Sequence, residues 1–361
     1  MRVLVIALYV LLSTLPQLGC ATRGVLSGSA ASTVAADGTR SESPLVLAKQ
    51  GSFFVNEENI LTPFPNGTGT SVAGHISARG MYVQYQVPQA RNRHAYPVIM
   101  VHGSGHTGKT YEETPDGRMG WAEYLVRNGI PVYVVDHSGR ARSGFDPSPS
   151  NRAKLEGNPA LIPSFAKFTN EQAWTAFRFG PTPFTPYENT RFPIKSQDEY
   201  FAQIVPNTET SYPEGGQNTV AALTALLERI GPAVVLVHSQ SGAYGIGAAI
   251  ARPDLVKAVV SVEPRSCAVS DSNVQSVFTH VPLLTIFGDF FGADMGADWP
   301  VRMAECVNTV ARIKAAGGTA ESIYLPDYGI RGNSHMLMMD VNNLQIADIM
   351  LAWLARSAPV R

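Results

Sequence analysis

The chain has 361 residues, of which 45% are hydrophobic and 16% are charged, and its formal net charge is −1. This composition is typical of a globular protein that buries an ordinary core. A chain without an excess of Lys and Arg has little with which to neutralise a phosphate backbone, so we exclude a nucleic-acid partner.

The first residues resemble an export signal. Arg2 precedes an apolar run at residues 3–12, and small residues flank Cys20. The pattern predicts a signal peptide over residues 1–21, because the apolar run is shorter than the roughly 20 residues of a spanning helix. A bacterial lipoprotein anchored at Cys20 is the alternative to a secreted or periplasmic protein. Residues 22–49, rich in Ser, Ala, Thr and Gly, are predicted to form a flexible leader.

The rest of the chain, residues 50–361, alternates between short apolar runs and helical patterns. The predicted strands are residues 80–87, 96–101, 131–135, 233–237, 258–262, 282–287 and 322–325. The predicted helices are residues 120–128, 218–230, 244–251, 302–316 and 343–355. Fully apolar strands that alternate with helices are typical of a parallel sheet covered on both faces. The sequence therefore predicts an α/β fold with a mostly parallel central sheet.

Residues 145–217 interrupt this alternation. The stretch is dense in Pro and aromatic residues, among them Trp174, Phe177 and Tyr200, which would be costly to leave exposed. We predict that this insertion forms a cap over the carboxyl ends of the strands, where ligands bind in such folds. An irregular surface excursion is the alternative. The aromatic content favours an apolar or aromatic substrate.

An apolar strand runs into HSQSG at residues 238–242 and then into a helical pattern. This arrangement is typical of a nucleophile elbow, in which a strained turn presents a serine hydroxyl at the edge of a sheet. Ser239 lies at the usual distance from the strand, although Val237 stands where an elbow usually has glycine. Ser241, which has the smaller flanking residues, is the alternative nucleophile.

A base and an acid are expected further along the chain, because this type of site follows the order Ser, acid, His. Of the eight histidines, His280 and His335 come after the serines. His280 precedes a strand at its amino end, on the wrong side of the sheet. His335 lies in a loop between the last strand and the last helix, which indicates the general base. Glu263 and Asp289 each end a strand, so either carboxylate is placed to orient the imidazole.

The sequence HGSG at residues 102–105 follows the first long apolar strand. Gly103 lets the backbone turn, and the amides of Ser104 and Gln240 are predicted to form an oxyanion hole. The string GSGHTGKT, residues 103–110, also matches a phosphate-binding loop. We reject that interpretation, because the His-Gly pair and the later serine, acid and histidine fit a hydrolase, and an exported protein meets no cytoplasmic nucleotide pool.

Cys267 and Cys306 are the two cysteines beyond the predicted signal peptide. An even count in an exported chain favours one disulfide, with two buried free thiols as the alternative. Neither cysteine has a second one at ligand spacing, which argues against a zinc site. We expect neither a metal nor an organic cofactor.

Six segments together resemble those of a small branch of secreted serine esterases with the α/β-hydrolase fold. They are GSFFV, TPDGRMGW, FRFGP, HSQSG, VEP and GNSHM, which begin at residues 51, 114, 177, 238, 262 and 332. The resemblance runs from about residue 51 to the C-terminus. It implies Ser239 as nucleophile, Glu263 as acid and His335 as base, and it implies that Cys267 pairs with Cys306. Where the branch's type member has two adjacent cysteines after the His-Gly pair, this chain has Ser-Gly.

The sequence thus predicts a serine hydrolase that cleaves carboxylic esters through an acyl-enzyme intermediate. The predicted partner is a small ester substrate, and no stable membrane span is expected. A lactonase or acyltransferase with the same residues is one alternative. A catalytically silent binding protein is another, because a fold alone does not establish chemistry.

Overall fold

The computed structural model describes residues 43–68, 72–92, 95–291 and 298–359. The strands are β1 Leu47–Val55, β2 Glu58–Thr62, β3 Gly74–Ala78, β4 Met81–Pro88, β5 Val98–Val101, β6 Val132–Val135, β7 Ala233–His238, β8 Val256–Val262, β9 Leu283–Phe287 and β10 Ala320–Tyr324. The helices are α1 Trp121–Arg127, α2 Ser148–Glu156, α3 Asn170–Ala176, α4 Gln197–Ala202, α5 Gln217–Ile230, α6 Gly242–Ala251, α7 Asp271–Asn273, α8 Asp298–Ala315 and α9 Asn343–Ser357. The predicted signal peptide lies outside the described residues, as does most of the predicted leader. The last three residues of that leader, 47–49, form the start of β1.

Eight of these strands form one sheet in the order β1-β4-β6-β5-β7-β8-β9-β10, and β2 pairs with β3 in a separate hairpin. From β6 to β10 every neighbouring pair is parallel, whereas β4 is antiparallel to both β1 and β6. All parallel strands therefore end at one edge of the sheet, where side chains from separate parts of the sequence meet.

The central strands are apolar throughout because each face of the sheet carries its own core. In β5, Val98 and Met100 pack in the cluster that contains residues of α1 and α9. Ile99 and Val101 pack in the other cluster, with residues of α5, α6 and α8. Successive side chains of a strand point to opposite faces, so a strand between two helical layers has no polar side. The predicted mostly parallel sheet with helices on both faces is confirmed.

The seven predicted strands and five predicted helices are all present, with ends that differ by at most four residues. The sequence did not predict β1 or the β2–β3 hairpin. β1 lies at the edge of the sheet, and Ala48, Lys49 and Gln50 are exposed. An edge strand of this kind has no continuous apolar run to reveal it.

The insertion at residues 145–217 contains α2, α3 and α4, and many of its aromatic side chains pack on one another. Trp174, Phe179 and Tyr200 are almost wholly buried, and the rings of Phe179 and Phe192 stack with centroids 3.6 Å apart. Most of the aromatic content that stood out in the sequence therefore forms a core within the insertion.

A disulfide joins Cys267, which follows β8, to Cys306 in α8, 39 residues later. Both cysteines are fully buried. The expected disulfide is present, and the alternative of two free thiols is wrong. None of the helices in the described part of the chain combines the length and apolar character that crossing a membrane requires.

Candidate active site

Ser239 occupies the turn between β7 and α6. Its φ is 53°, in the left-handed region that residues with a Cβ rarely adopt. The side chain lies at the surface of a cavity of about 710 Å³, and the residue is 8% exposed. The strained backbone at the end of a buried strand is the conformation of a nucleophile elbow.

Two glycines make room for this turn. A Cβ on Gly103 would lie 2.9 Å from the Cβ of Ser239, so no side chain fits there. Val237 stands where elbows usually have glycine, and it fits because Gly245 in α6 has no side chain. A Cβ on Gly245 would lie 2.8 Å from Cγ1 of Val237. The missing side chain at Gly245 thus leaves the room that a valine at position 237 needs.

Ser241, the alternative nucleophile, faces the protein interior. It is fully buried and does not line the cavity. Its hydroxyl contacts the carbonyl oxygen of His102 and lies 2.8 Å from Nε2 of His137. Ser241 thus belongs to a buried hydrogen-bond network, whereas Ser239 lines the cavity.

His335 lies between β10 and α9 and lines the same cavity as Ser239. Nδ1 of its ring is 3.0 Å from Oε2 of Glu263, and its main-chain N–H donates to the carbonyl of Phe177 at 2.9 Å. When Nδ1 carries the proton, Nε2 is left as a free acceptor, which is the tautomer a general base needs. Burial lowers the pKa of His335 below 6.5, and the hydrogen bond with Glu263 opposes this shift without cancelling it.

Glu263 directly follows β8, with a φ of 50° and no exposed surface. Besides His335, its carboxylate accepts hydrogen bonds from the main-chain N–H of Gly288 and from Nη2 of Arg178, each at 2.5 Å. Burial opposes ionisation of Glu263, but the Arg178 guanidinium and the hydrogen bond from His335 outweigh it and hold the pKa below its ordinary value. The acid that contacts the imidazole is therefore a carboxylate at neutral pH.

Asp289, the other carboxylate at a strand end, is not hydrogen-bonded to His335. It accepts hydrogen bonds from the main-chain N–H groups of Phe290 at 2.7 Å and Gly332 at 2.9 Å. Those bonds brace the loop that leads to His335. His280 is exposed ahead of β9, at the amino end of that strand, as the sequence predicted.

Ser104 and Gln240, the predicted oxyanion-hole residues, flank Ser239. Ser104 lines the cavity with Ser239, and among the described residues its main-chain N–H has no hydrogen-bond acceptor. Gln240 is the second residue of a one-turn 3₁₀ helix, Ser239–Ser241, and the first N–H groups of a helix lack an acceptor within it. Neither amide thus has an acceptor among the described residues.

Arg140 and Asn207 hold the loop that carries Ser104. Arg140 is fully buried, and its Nη1 donates to the carbonyl oxygen of Gly103 at 2.9 Å; His102 Nδ1 contacts the same oxygen at 2.9 Å. Asn207 Nδ2 donates to Oγ of Ser104 at 2.8 Å, and its Oδ1 accepts the main-chain N–H of Gly105 at 2.9 Å. Side chains distant in sequence therefore fix the loop by hydrogen bonds.

Sequence reasoning did not predict Arg140, Arg178, Asn207 or Asp340 as parts of this region. Asp340 is fully buried and accepts hydrogen bonds from the main-chain N–H and the hydroxyl of Ser334, next to His335. Burial raises the pKa of Asp340 to about 6. The two arginines and Asp340 are all buried. The sequence does not reveal this, because charged residues are usually exposed and are rarely buried without a partner.

The insertion contributes eight of the fifteen residues that line the cavity, among them Phe168 and Phe177. Trp299 adds a third aromatic surface, with its ring centroid 4.7 Å from that of His335. Within the described ranges, no cluster of His, Cys, Asp and Glu side chains has an arrangement that would hold a metal ion.

The chain is similar to a solved structure described as a novel bacterial esterase, with 39% sequence identity and a TM-score of 0.83, over 89% of this chain and 99% of that one. It is also 28% identical to a fungal protein named probable secreted lipase phiG, from Fungal sp. (strain ATCC 74256), over 79% of this chain and 88% of that protein. No protein-family model matches the chain.

Proposed function

The chain belongs to the α/β-hydrolase-fold esterases and is a carboxylic ester hydrolase, and we propose that it works through an acyl-enzyme formed on Ser239. One observation carries this proposal. Ser239, in a strained turn, and His335, hydrogen-bonded to a buried carboxylate, line one cavity. A nucleophile, a base and a group that orients the base are the parts that acyl transfer needs.

In the proposed mechanism, Nε2 of His335 takes the proton of the Ser239 hydroxyl as Oγ attacks the ester carbonyl carbon. The tetrahedral oxyanion accepts hydrogen bonds from the amides of Ser104 and Gln240. Collapse breaks the bond to the alcohol, which leaves with the proton that His335 returns. Water then attacks the acyl-enzyme, with His335 again as base, and Ser239 is restored as the acid departs.

Glu263 supports both steps in this mechanism. Its carboxylate holds the proton on Nδ1 and stabilises the imidazolium that forms when Nε2 takes up a second proton. The Arg178 guanidinium keeps Glu263 ionised in its buried position. The substrate's apolar or aromatic part is proposed to pack on Phe168, Phe177 and Trp299. We also propose export, since the fungal relative is named a secreted protein and a buried disulfide suits an oxidising compartment.

Labelling with a fluorophosphonate tests the nucleophile. Wild type and Ser241→Ala are expected to gain the mass of one adduct, and Ser239→Ala is expected to gain none. Intact-mass spectrometry reads the result, and turnover of a 4-nitrophenyl ester should be lost in Ser239→Ala alone. Ser241→Ala is a matched control, because it removes a hydroxyl two residues away that does not line the cavity. An adduct that survives in Ser239→Ala contradicts the proposal.

The pH dependence of kcat/KM is expected to fall on the acid side with a midpoint below pH 6.5. Protonation of His335 removes the base, and burial lowers the pKa of this imidazole from its ordinary value of 6.5. The base therefore stays neutral, and activity persists, at a pH where an exposed histidine is half protonated. Initial rates between about pH 4 and 8 measure the midpoint. A midpoint above 6.5 would show that the Glu263 hydrogen bond outweighs burial.

A further inference from the structure

We propose that the cavity selects esters that also carry a carboxylate, either on the acyl chain or on the alcohol. This inference rests on the proposed function and names its substrate class. Three cationic side chains, Lys167, Arg265 and Arg302, line the cavity together with Ser239 and His335. They come from the insertion, from the loop after β8 and from α8. Three separate elements thus bring positive charge to one site.

Two of these cations are tied to the reacting residues. The main-chain N–H of Arg265 donates to the carbonyl oxygen of Ser239 at 2.9 Å. The guanidinium of Arg302 lies 5.1 Å from the ring centroid of Trp299, and that ring contacts His335. Arg302 is therefore held one aromatic ring away from the base. A substrate seated at Ser239 thus lies in a cavity that these cationic residues line.

Among the described residues, acidic side chains do not balance the positive charge in the cavity lining. Asp298 is the one acidic side chain among the described residues that line the cavity. It pairs with Arg302 at 3.0 Å, but its side chain is 76% exposed, against 20% for Arg302. Neither Lys167 nor Arg265 forms an ion pair with any part of the chain that the structure describes. The whole chain has a net charge of −1, so the local excess is not a consequence of a basic protein.

A carboxylate fits these groups chemically. A guanidinium offers two parallel N–H donors that match the two oxygens of a carboxylate. The aromatic surfaces of Phe168, Phe177 and Trp299 suit the apolar body of the same molecule. Lys167 and Arg265 are exposed residues of the lining and Arg302 pairs with Asp298, so a purely apolar ester gains nothing from these charges, whereas a carboxylate can bind them. The lining therefore favours an ester with one charged end.

Two matched pairs of substrates test the inference. The first pair is the 4-nitrophenyl monoester of adipic acid and the 4-nitrophenyl ester of adipamic acid. The second is 4-carboxyphenyl acetate and 4-carbamoylphenyl acetate. Each rate is divided by that of alkaline hydrolysis of the same ester, which removes differences in intrinsic reactivity. In at least one pair, kcat/KM at low salt is expected to be about tenfold higher for the carboxylate, and the preference should shrink as salt screens the charges.

Variants assign the preference to the cavity. Arg265→Gln and Arg302→Gln are each expected to lower the ratio of kcat/KM for the preferred carboxylate to kcat/KM for its neutral partner about threefold to tenfold. Lys314→Gln is the control, because Lys314 lies on the same helix as Arg302, is exposed and does not line the cavity. It should leave the ratio unchanged.

Equal reactivity of both members in both pairs would overturn the inference, as would a preference that survives in both cavity variants. In either case wild type still turns over esters and still gains a fluorophosphonate adduct, so the proposed function stands. Wild type without turnover and without an adduct would overturn the proposed function and this inference with it.

Discussion

Replacing Glu263 with Gln is expected to lower kcat for ester hydrolysis by about 10⁴-fold, with a far smaller change in KM. Oε2 of Glu263 lies 3.0 Å from Nδ1 of His335 and holds the proton on that nitrogen. A neutral amide neither enforces this tautomer nor stabilises the imidazolium. In the proposed mechanism, the Ser239 proton then has no acceptor for most of the time. Steady-state rates with a 4-nitrophenyl ester measure the loss.

Loss of folding must be separated from loss of chemistry in this variant. Arg178 and Glu263 are both without exposed surface and form an ion pair. Glu263→Gln leaves the guanidinium unpaired, which costs about 3–5 kcal/mol in buried pairs. The double variant Glu263→Gln with Arg178→Met removes both charges. Its thermal unfolding temperature is expected to recover toward that of wild type, while kcat stays low.

Asp289→Asn serves as the matched control for Glu263→Gln. Asp289 stands at the end of the neighbouring strand, and its carboxylate binds two main-chain N–H groups of its loop. Asn keeps an oxygen that accepts one of them, so kcat is expected to change by less than about tenfold. Equal losses in the two variants would contradict the assignment of Glu263 as the acid.

The fold was predictable from the sequence wherever buried strands and helices show a pattern of apolar residues. β5 and β7 lie between two helical layers, so their residues are apolar without interruption, and this pattern is visible without a structure. β1 has a neighbour on one side only and exposes most of its side chains. Its register is set by pairing with β4, and no periodic pattern of apolar residues in β1 itself indicates that pairing.

The site was predictable in part. Ser239 and His335 follow from the chain order of strand ends and loops, which motifs describe well. Glu263 and Asp289 were not separable from position, because β8 and β9 are adjacent parallel strands that end at the same edge. What distinguishes Glu263 is its left-handed backbone and its contact with Arg178. Both are properties of the folded chain.

The arginines beside the site were not predictable at all. Arg178 contacts a residue 85 positions away, and Arg140 contacts one 69 positions away. No spacing rule links such pairs, because the insertion and the sheet bring them together only after folding. Most arginines lie at the protein surface, so an arginine in a sequence is expected to be exposed.

Replacing Arg140 with Met is expected to lower kcat by about 10²–10³-fold, the loss that follows removal of one oxyanion-hole donor. Arg140 Nη1 donates to the carbonyl of Gly103. That carbonyl and the N–H of Ser104 belong to one planar, trans peptide group, so fixing one fixes the direction of the other. Arg140 Nη2 also lies 3.2 Å from Oε1 of Gln240. One guanidinium thus contacts the peptide group that contains the Ser104 N–H and the side chain of Gln240, the residue that supplies the other proposed oxyanion-hole amide.

Arg140 is proposed as a positioning residue, and two controls separate that role from folding. Arg140 pairs with Glu209, which is also buried, so the double variant Arg140→Met with Glu209→Gln removes both charges. Arg312→Met is the second control. Arg312 likewise binds a carboxylate, that of Asp271, and donates to a main-chain carbonyl, that of Val269, but it does not line the cavity. Its removal is expected to leave kcat within about twofold.

The readouts that identify positioning are kcat, KM and the pH midpoint, measured together with thermal unfolding. The double variant at Arg140 and Glu209 is expected to unfold near the wild-type temperature but to keep the lowered kcat. KM should change little, because the lost interaction acts on the transition state rather than the bound ester. The acid midpoint should not move, since Glu263, Arg178 and Arg302 act on the His335 pKa and all remain. Recovery of wild-type kcat in the double variant would show that Arg140 serves folding alone, and that the Ser104 amide keeps its direction without it.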